Sequence, residues 1–466
     1  MTMPTQAEIT HREPADRDLW RHADFLRLWA AQAISAFGSR ITRTALPIIA
    51  VTTLGQPEAM VGVLAATQLA PGVVLAMMAG GFVDRGRKRR ILIGADLARA
   101  VLVGSLTLAW ALGALSMAHV VIAGAGVGAA SALFQITDIA YLPTLIGRRR
   151  LADGNAKLET TEAVAEITGP ASAGALIAAL GAPLAVAIDA ASYVWSAFML
   201  GRIRVVDAVA DGSASGQGRA SSAASARQTA APAIDSDEDG EAPPVRTGED
   251  FRIGLRAVFG HPQVRPIVLT LMVWSITGGF FLALYTLFCL RELGLSEATF
   301  GIVIAMGGIG SLAGAVLARG LARVLGVGRT LLVTSALSVV FTLFVPIAAS
   351  ATSHAMAVGF LIAHQLLGDC FAVAFIILAV TLRQTVLPKD VLGRANAAVH
   401  VCTSGVLPVI ALLAGGLAAL IGIRAAVWAG FLVGLAAPLF VWPLRHLKAM
   451  PVGDLGASDS GVRTIE

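Results

Sequence analysis

The stretch LGQPEAMVG (54–62) returns as LGLSEATFG (293–301), 239 residues further along the chain. Both copies keep Leu-Gly, two turn-forming positions, Glu-Ala, and a glycine three residues later. A second echo pairs LADGNA (151–156) with LGRANA (392–397) at an offset of 241. A third pairs Gly80 and Arg85-Gly86 with Gly314 and Arg319-Gly320 at 234. Three matches in order at nearly one offset predict two homologous halves rather than one continuous design.

Composition says what the halves are made of. Of 466 residues, 56% are hydrophobic and 14% charged, against about 25% charged in an average soluble domain. Apolar runs of about 20 residues or more recur along the chain, each long enough to cross a bilayer core of roughly 30 Å. Backbone groups in lipid must be satisfied within their own segment, so the spans are helices; the alternation of a membrane barrel is missing. The expected fold is an all-α integral membrane protein with twelve transmembrane helices in two pseudo-symmetric six-helix halves. Spans are placed near 25–53, 58–83, 91–115, 118–146, 157–181 and 183–203, then 264–290, 297–318, 328–349, 354–382, 392–420 and 424–444. Residues 1–24 read as an N-terminal tail rather than a cleaved leader, 25–205 as the first bundle, 251–446 as the second and 447–466 as a C-terminal tail. Between the bundles, 206–250 is rich in Ala, Ser, Gly, Asp and Pro, with the acidic run DSDEDGE (235–241), and reads as a disordered linker.

Lys and Arg alternate between loops. One set holds Arg85 to Arg90, Arg148 to Arg150, Arg319, Arg323 and Arg329, and Arg383, Lys389 and Arg394; the other set is nearly bare. By the positive-inside rule the basic loops, both termini and the linker face the cytoplasm of a bacterial inner membrane. GGFVDRGRKRR (80–90), which in a soluble protein would suggest a nucleic-acid patch, is therefore a topological anchor, and no nucleic-acid partner is expected. Cys289, Cys370 and Cys402 lie in apolar segments and read as small buried hydrophobes. No Walker sequence, cofactor loop or nucleophile elbow occurs at a usable position. Neither an enzyme nor a cofactor or metal site is expected, and any driving energy comes from an ion gradient.

GGFVDRGRKRR resembles the signature between helices two and three of the major facilitator superfamily, G-x-x-x-D-R-x-G-R-[KR]-[KR], with Gly86 displaced. GPASAG (169–174) resembles that family's exporter motif G-P-x-x-G-G, with Ala173 at the first glycine of the final pair. FLRLWAAQAISAFG (25–38), LIGADLARA (92–100), YLPTLI (141–146) and LETTEAVAEITGP (158–170) look like the branch containing the enterobactin exporter and macrolide-efflux proteins. The resemblance implies a monomeric secondary transporter. It would export a small organic molecule (a siderophore, drug or secondary metabolite) by alternating access and proton antiport. The cavity would be lined by spans one, two, four, five, seven, eight, ten and eleven. An importer of the same fold, or a non-transporting sensor or scaffold, are the alternatives. Within the motif, the resemblance casts Asp84, with Arg85 and Arg87, as a conformational latch facing the start of span eleven near Leu392 and Gly393.

Charged and polar residues inside spans are costly and are candidates for function. Asp96 and Arg99 share a face at i, i+3 and, with Asp138 at similar depth, form either a structural ion pair or a rearranging charge network. Glu159, Glu162 and Glu166 make a stripe on span five. Glu162 and Glu166, beside the helix-bending motif Gly169, Pro170 and Gly174, are proton-coupling candidates, as is Asp369, five residues after His364 in span ten. Gln32, Ser35, Ser39, Arg40 and Arg43 form a polar face on span one. Arg40 either faces the cavity, favouring a carboxylate-bearing substrate, or pairs with a buried acid. Gln32, Ser35, Arg40, Trp274 and Tyr285 are the substrate-cavity candidates. His400 reads as structural, and Asp189, with Tyr193 and Trp195, as an interfacial cap. Asp84→Asn is expected to leave expression intact and to impair transport; unchanged transport would remove the latch role.

Overall fold

The computed structural model describes residues 19–78, 86–147, 150–204 and 247–447. Asp84 and Arg85, most of the expected linker and both tails lie outside the described residues. The first half comprises α1 (Ala23–Ile48), α2 (Glu58–Met78), α3 (Lys88–Ala111), α4 (Met117–Ile146), α5 (Leu151–Leu180) and α6 (Ala182–Gly201). The second comprises α7 (Val264–Glu292), α8 (Glu297–Leu325), α9 (Val327–Ala348), α10 (His354–Val386), α11 (Val391–Ile421) and α12 (Ile423–His446). Among the described residues, ten helices are long and apolar enough to span a membrane, and the two arms of α5 make an eleventh. The twelfth, α1, has the length but carries Asp24, Arg27, Arg40 and Arg43. The last residues of the expected linker are already helical: Thr247–Gly260 forms a helix that packs on the start of α11.

The internal repeat reappears as backbone geometry. A π-helical turn ends α1 at Ile49–Thr53 and another ends α7 at Phe288–Glu292. Each closes through the same two hydrogen bonds, Leu54 N to Ile49 O and Leu293 N to Phe288 O, then Gln56 N to Ala50 O and Leu295 N to Cys289 O. Gly181 and Gly422, both at positive φ (82° and 85°), make the tight turns from α5 to α6 and from α11 to α12. A residue with a side chain is strained at such a φ whatever the space around it, which is why glycine occupies both.

Among the described residues the halves share an apolar core at one end, opposite the Lys/Arg-rich loops. One apolar cluster runs through both halves there, taking in Ile48, Leu64 and Ile177 from the first and Leu287, Phe300 and Ala414 from the second. At the basic end the clusters each belong to one half: Phe25, Leu142 and Leu200 in the first, Leu331, Phe375 and Leu444 in the second. Helix α11 shows the divergence: its Leu407–Ile421 arm packs on α2, while its Lys389–Ser404 arm packs on α7 and the 247–260 helix.

Two glycine pairs make the closed end possible. A Cβ built at Gly174 of α5 would stand 2.7 Å from the Gly301 Cα of α8, and the reverse distance is the same. Gly62 of α2 and Gly415 of α11 repeat this at 2.9 Å in both directions. Real β-carbons essentially never come within 3.0 Å of such atoms, so the backbones touch only because neither carries a side chain. Arg291 reinforces the closure from its π-turn, donating to the carbonyl of Gln56 (2.6 Å) and facing Glu58 across 3.6 Å. Gly301→Val is expected to weaken the closed end by about 1–3 kcal/mol through overpacking. In a chain carrying Cys370→Ala and Cys402→Ala, labelling of the buried Cys289 by a polar maleimide should rise several-fold. Unchanged labelling would show that something other than the glycine contact closes this end.

Candidate functional site

Helix α5 carries the densest set of functional candidates, because its sequence mixes Thr and Glu with Gly, Pro and Ala. It bends by 40° where Asp153–Pro170 gives way to Ser172–Leu180, since Pro170 removes one helical hydrogen bond and its ring clashes with the preceding turn. On the arm before the bend, Glu162 and Glu166 grip Arg40 of α1. The guanidinium donates to Glu162 Oε1 and stands 2.5 Å from Glu166 Oε2, while Arg43 Nη1 lies 3.9 Å from Glu166 Oε1. The Arg40 side chain is 5% exposed and the two glutamates 52% and 51%. The cation is therefore buried and its counter-ions reach solvent-accessible space. Gly169 makes this possible: a Cβ there would stand 2.6 Å from Arg40 Cγ. So the GPASAG motif has three jobs along one turn and a half: Gly169 seats Arg40, Pro170 bends the helix and Gly174 meets α8.

Of the two alternatives for Arg40, the described residues show it ion-paired, with acids that are themselves half-exposed. Of the other α1 candidates, Gln32 donates to Asp138 Oδ1 of α4 (2.6 Å), Ser35 is buried, and Ser39 shares a 3.1 Å hydrogen bond with Tyr193. Asp138 is thereby separated from Asp96 and Arg99. Those two pair with each other, and the Arg99 guanidinium lies between the rings of Phe134 (4.5 Å) and Tyr193 (4.4 Å). Buried, partnered and stacked on two aromatic faces, Arg99 has the surroundings of a structural ion pair. Asp189 is no interfacial cap: it is fully buried, accepts from Ser192 (3.0 Å) and lies beside Gly38 of α1. Helix α1 covers that face of α6 and turns Asp189 inward. Tyr193 is buried with it, and only Trp195 faces outward.

In the second half, Trp274, Tyr285 and Asp369 come together, not between the halves but inside the bundle. They line a cavity of about 350 Å³ bounded by α7, α9, α10 and α12. A π-helical turn, His364–Gly368, interrupts α10 directly before Asp369 and turns the carboxylate toward this space; such turns often mark functional positions. A second cavity, of about 700 Å³, lies toward the basic end between α7, α10 and α11, and Trp274 lines both. Arg383, expected in a loop, is buried in its wall, as α10 continues to Val386; His400 and Asn396 stand opposite. Of the expected latch, Arg87 is described, at the N-cap of α3; Asp84 and Arg85 are outside the described residues.

The family model described as Major Facilitator Superfamily matches residues 28–407. The chain belongs to the major facilitator superfamily. Solved structures agree on the fold. A bacterial homologue of the iron transporter ferroportin, in the inward-facing state, superposes with a TM-score of 0.67 at 16% identity over 92% of this chain and 100% of its own. An unoccupied, inward-facing bacterial homologue of the human lysosomal transporter Spinster gives 0.64 at 14% identity, covering 91% and 97%. The nucleoside transporter NupG gives 0.63 at 10% identity, covering 90% and 98%. No curated protein matches the chain in sequence. This superfamily member is a membrane transporter, not an enzyme.

The asymmetry of the Arg40 group gives a direct check. Arg40→Met removes the one buried charge of the four, and should lower the thermal unfolding midpoint more than Glu162→Gln or Glu166→Gln, because water can replace a partner of a half-exposed glutamate. Equal losses from all three variants would contradict the assignment of Arg40 as the pivot.

Proposed function

We propose that the protein exports a small organic molecule across a bacterial inner membrane by alternating access, in exchange for protons. With the Lys/Arg-rich loops in the cytoplasm, the described state is closed toward the outside and parted toward the cytoplasm, ready to load cargo from within. The observation that carries the reading is the double duty of α5. One helix holds the carboxylates that bind Arg40 and, eight residues beyond Glu166, the glycine that closes on α8.

That arrangement links a proton to a gate. When Glu166 takes a proton, its charge-assisted bond to Arg40 is lost and Arg40 stays on Glu162 alone. The grip of α1 on the first arm of α5 slackens, and the bend at Pro170 is free to change. A change in that angle swings Gly174 relative to Gly301, where the backbones lie too close for a Cβ on either. Deprotonation restores the grip. Asp369 is a second carboxylate within the membrane, but it lies away from the inter-half contacts and enters the cycle through the cavity of the second half. Siderophores, macrolide-like drugs and secondary metabolites are the cargo classes to try first.

The test is reconstitution into proteoliposomes preloaded with a panel of these compounds, under an imposed pH gradient. Protons running down the gradient should drive solute the opposite way, a protonophore should abolish that drive, and Glu166→Gln should retain solute exchange while losing its dependence on the gradient. Movement of neither solute nor protons for any compound would favour a scaffold on a transporter fold. Solute accumulation in the direction of the proton flow would favour an importer.

A further inference from the structure

The cavity inside the second half has a composition that the coupling of Arg40 to α5 does not account for. Its wall includes Trp274, Phe281, Tyr285, His364, Gln365 and Asp369, and among the described residues no Lys or Arg lines it. Asp369 is therefore a carboxylate without a protein cation, in a space that otherwise offers rings and small polar groups. The rings are packed as a set: Phe281 lies 6.3 Å from Tyr285 and 6.1 Å, stacked, from His364, and Trp274 is backed by Phe375 at 4.8 Å. Two polar atoms in the wall, Tyr285 Oη and His364 Nδ1, are buried with no hydrogen-bond partner among the described residues. The carboxylate is also made room for. A methyl group at Gly307 of α8 would stand 2.5 Å from Asp369 Oδ2, so α8 provides a notch where any other residue would push the acid aside.

An intramembrane carboxylate without a partner is expensive. A wall that combines one negative charge with several aromatic faces is complementary to one chemistry, a cation with an apolar body. The ring faces attract positive charge through their quadrupoles, the carboxylate supplies the counter-charge, and His364 Nδ1 can accept an N–H bond. The size, about 350 Å³, falls in the range of small-molecule sites. Trp274 stands between this cavity and the larger one toward the basic end, which gives a ligand an entrance from that side.

We infer that this cavity of the second half is a binding site for a monovalent amphipathic organic cation, an amine with an aromatic or aliphatic body, held by Asp369 among the rings of Trp274, Phe281 and Tyr285. The inference names a cargo class for the exporter proposed above and rests on that reading only for the ligand being cargo. The contrast with the first half supports it: there the buried cations Arg40 and Arg99 are already paired with carboxylates and offer nothing to an anionic ligand.

The experiment uses the full chain in lipid nanodiscs with tritiated tryptamine as probe, and with tetraphenylphosphonium and indole-3-propionate as competitors. Tryptamine should bind saturably, tetraphenylphosphonium should displace it, and indole-3-propionate, the same ring system with a carboxylate, should not. Asp369→Asn should weaken tryptamine binding by about tenfold or more, a change of about 1.4 kcal/mol, and Asp369→Glu should keep part of it. If Asp369→Asn fails to fold, Gly307→Ala and Trp274→Ala carry the same test, the first by displacing the carboxylate and the second by removing a ring; each should weaken binding. No binding to the native chain at millimolar tryptamine, equal binding to Asp369→Asn, or displacement by indole-3-propionate would each overturn the site. Because binding needs no gradient, the two proposals fail separately. Cation binding without proton-driven flux removes the exporter reading and leaves the site, and proton-driven flux without cation binding does the reverse.

Discussion

The closest approach of the two halves is made by four glycines, and the rest of the architecture follows from that constraint. Gly174 against Gly301 and Gly62 against Gly415 bring backbones to a separation that no side chain permits. Within a membrane, apolar burial gives little preference for one helix neighbour over another, because lipid is as apolar as leucine. Close packing therefore has to supply the specificity. Two such contacts, related by the internal repeat, hold the closed end symmetrically and leave the opposite end free of shared core. The halves share one apolar core at the closed end, with the two glycine contacts and Arg291 tying them together inside it.

Helix α5 concentrates the consequences. Its first arm is tied to α1 by Arg40, its second arm to α8 by Gly174, and Pro170 separates the two. A helix without the proline would transmit strain along its length, and one without Gly169 could not seat the Arg40 stem. The charges are arranged with the same economy. Two half-exposed glutamates surround one buried guanidinium, so the buried charge does not stand isolated in the interior. In the second half the repeat does not reproduce this. At the depth where the first half has a closed ion cluster, the second offers a lone carboxylate beside aromatic rings. The duplication preserved the backbone devices, namely π-turns, positive-φ glycines and glycine contacts, and let the polar interior diverge.

Much of this was legible in the residues. Leu54–Gly62 and its copy at Leu293–Gly301 announced two halves, and the same offset marks the two π-turns and places Gly62 and Gly301 in equivalent positions. The offset of 241 that links 151–156 with 392–397 also links Gly174 with Gly415, so both members of each contact could have been found by extending the repeat. What the pattern could not say is that Gly62 meets Gly415 rather than its own equivalent. A repeat records which positions are alike, whereas a contact depends on how the copies are placed in space. The same limit applies to the charges. Its depth left Arg40 either facing a cavity or paired with an acid; that Glu162 and Glu166 hold it followed from α1 lying against the first arm of α5.

Sequence alone thus determined the membrane class, the helix count, the two-half design and the family, because apolar length, loop charge and internal periodicity are properties of the chain taken one segment at a time. Only the tertiary structure decided which end is closed, that Asp189 is buried rather than interfacial, that Asp138 joins Gln32 instead of Arg99, and that Trp274, Tyr285 and Asp369 share a cavity within one bundle. Each of these depends on which helix face turns toward which neighbour. Helices that are apolar nearly all round carry no stripe to record that choice, so it is fixed by glycine notches and ion pairs between segments far apart in the chain.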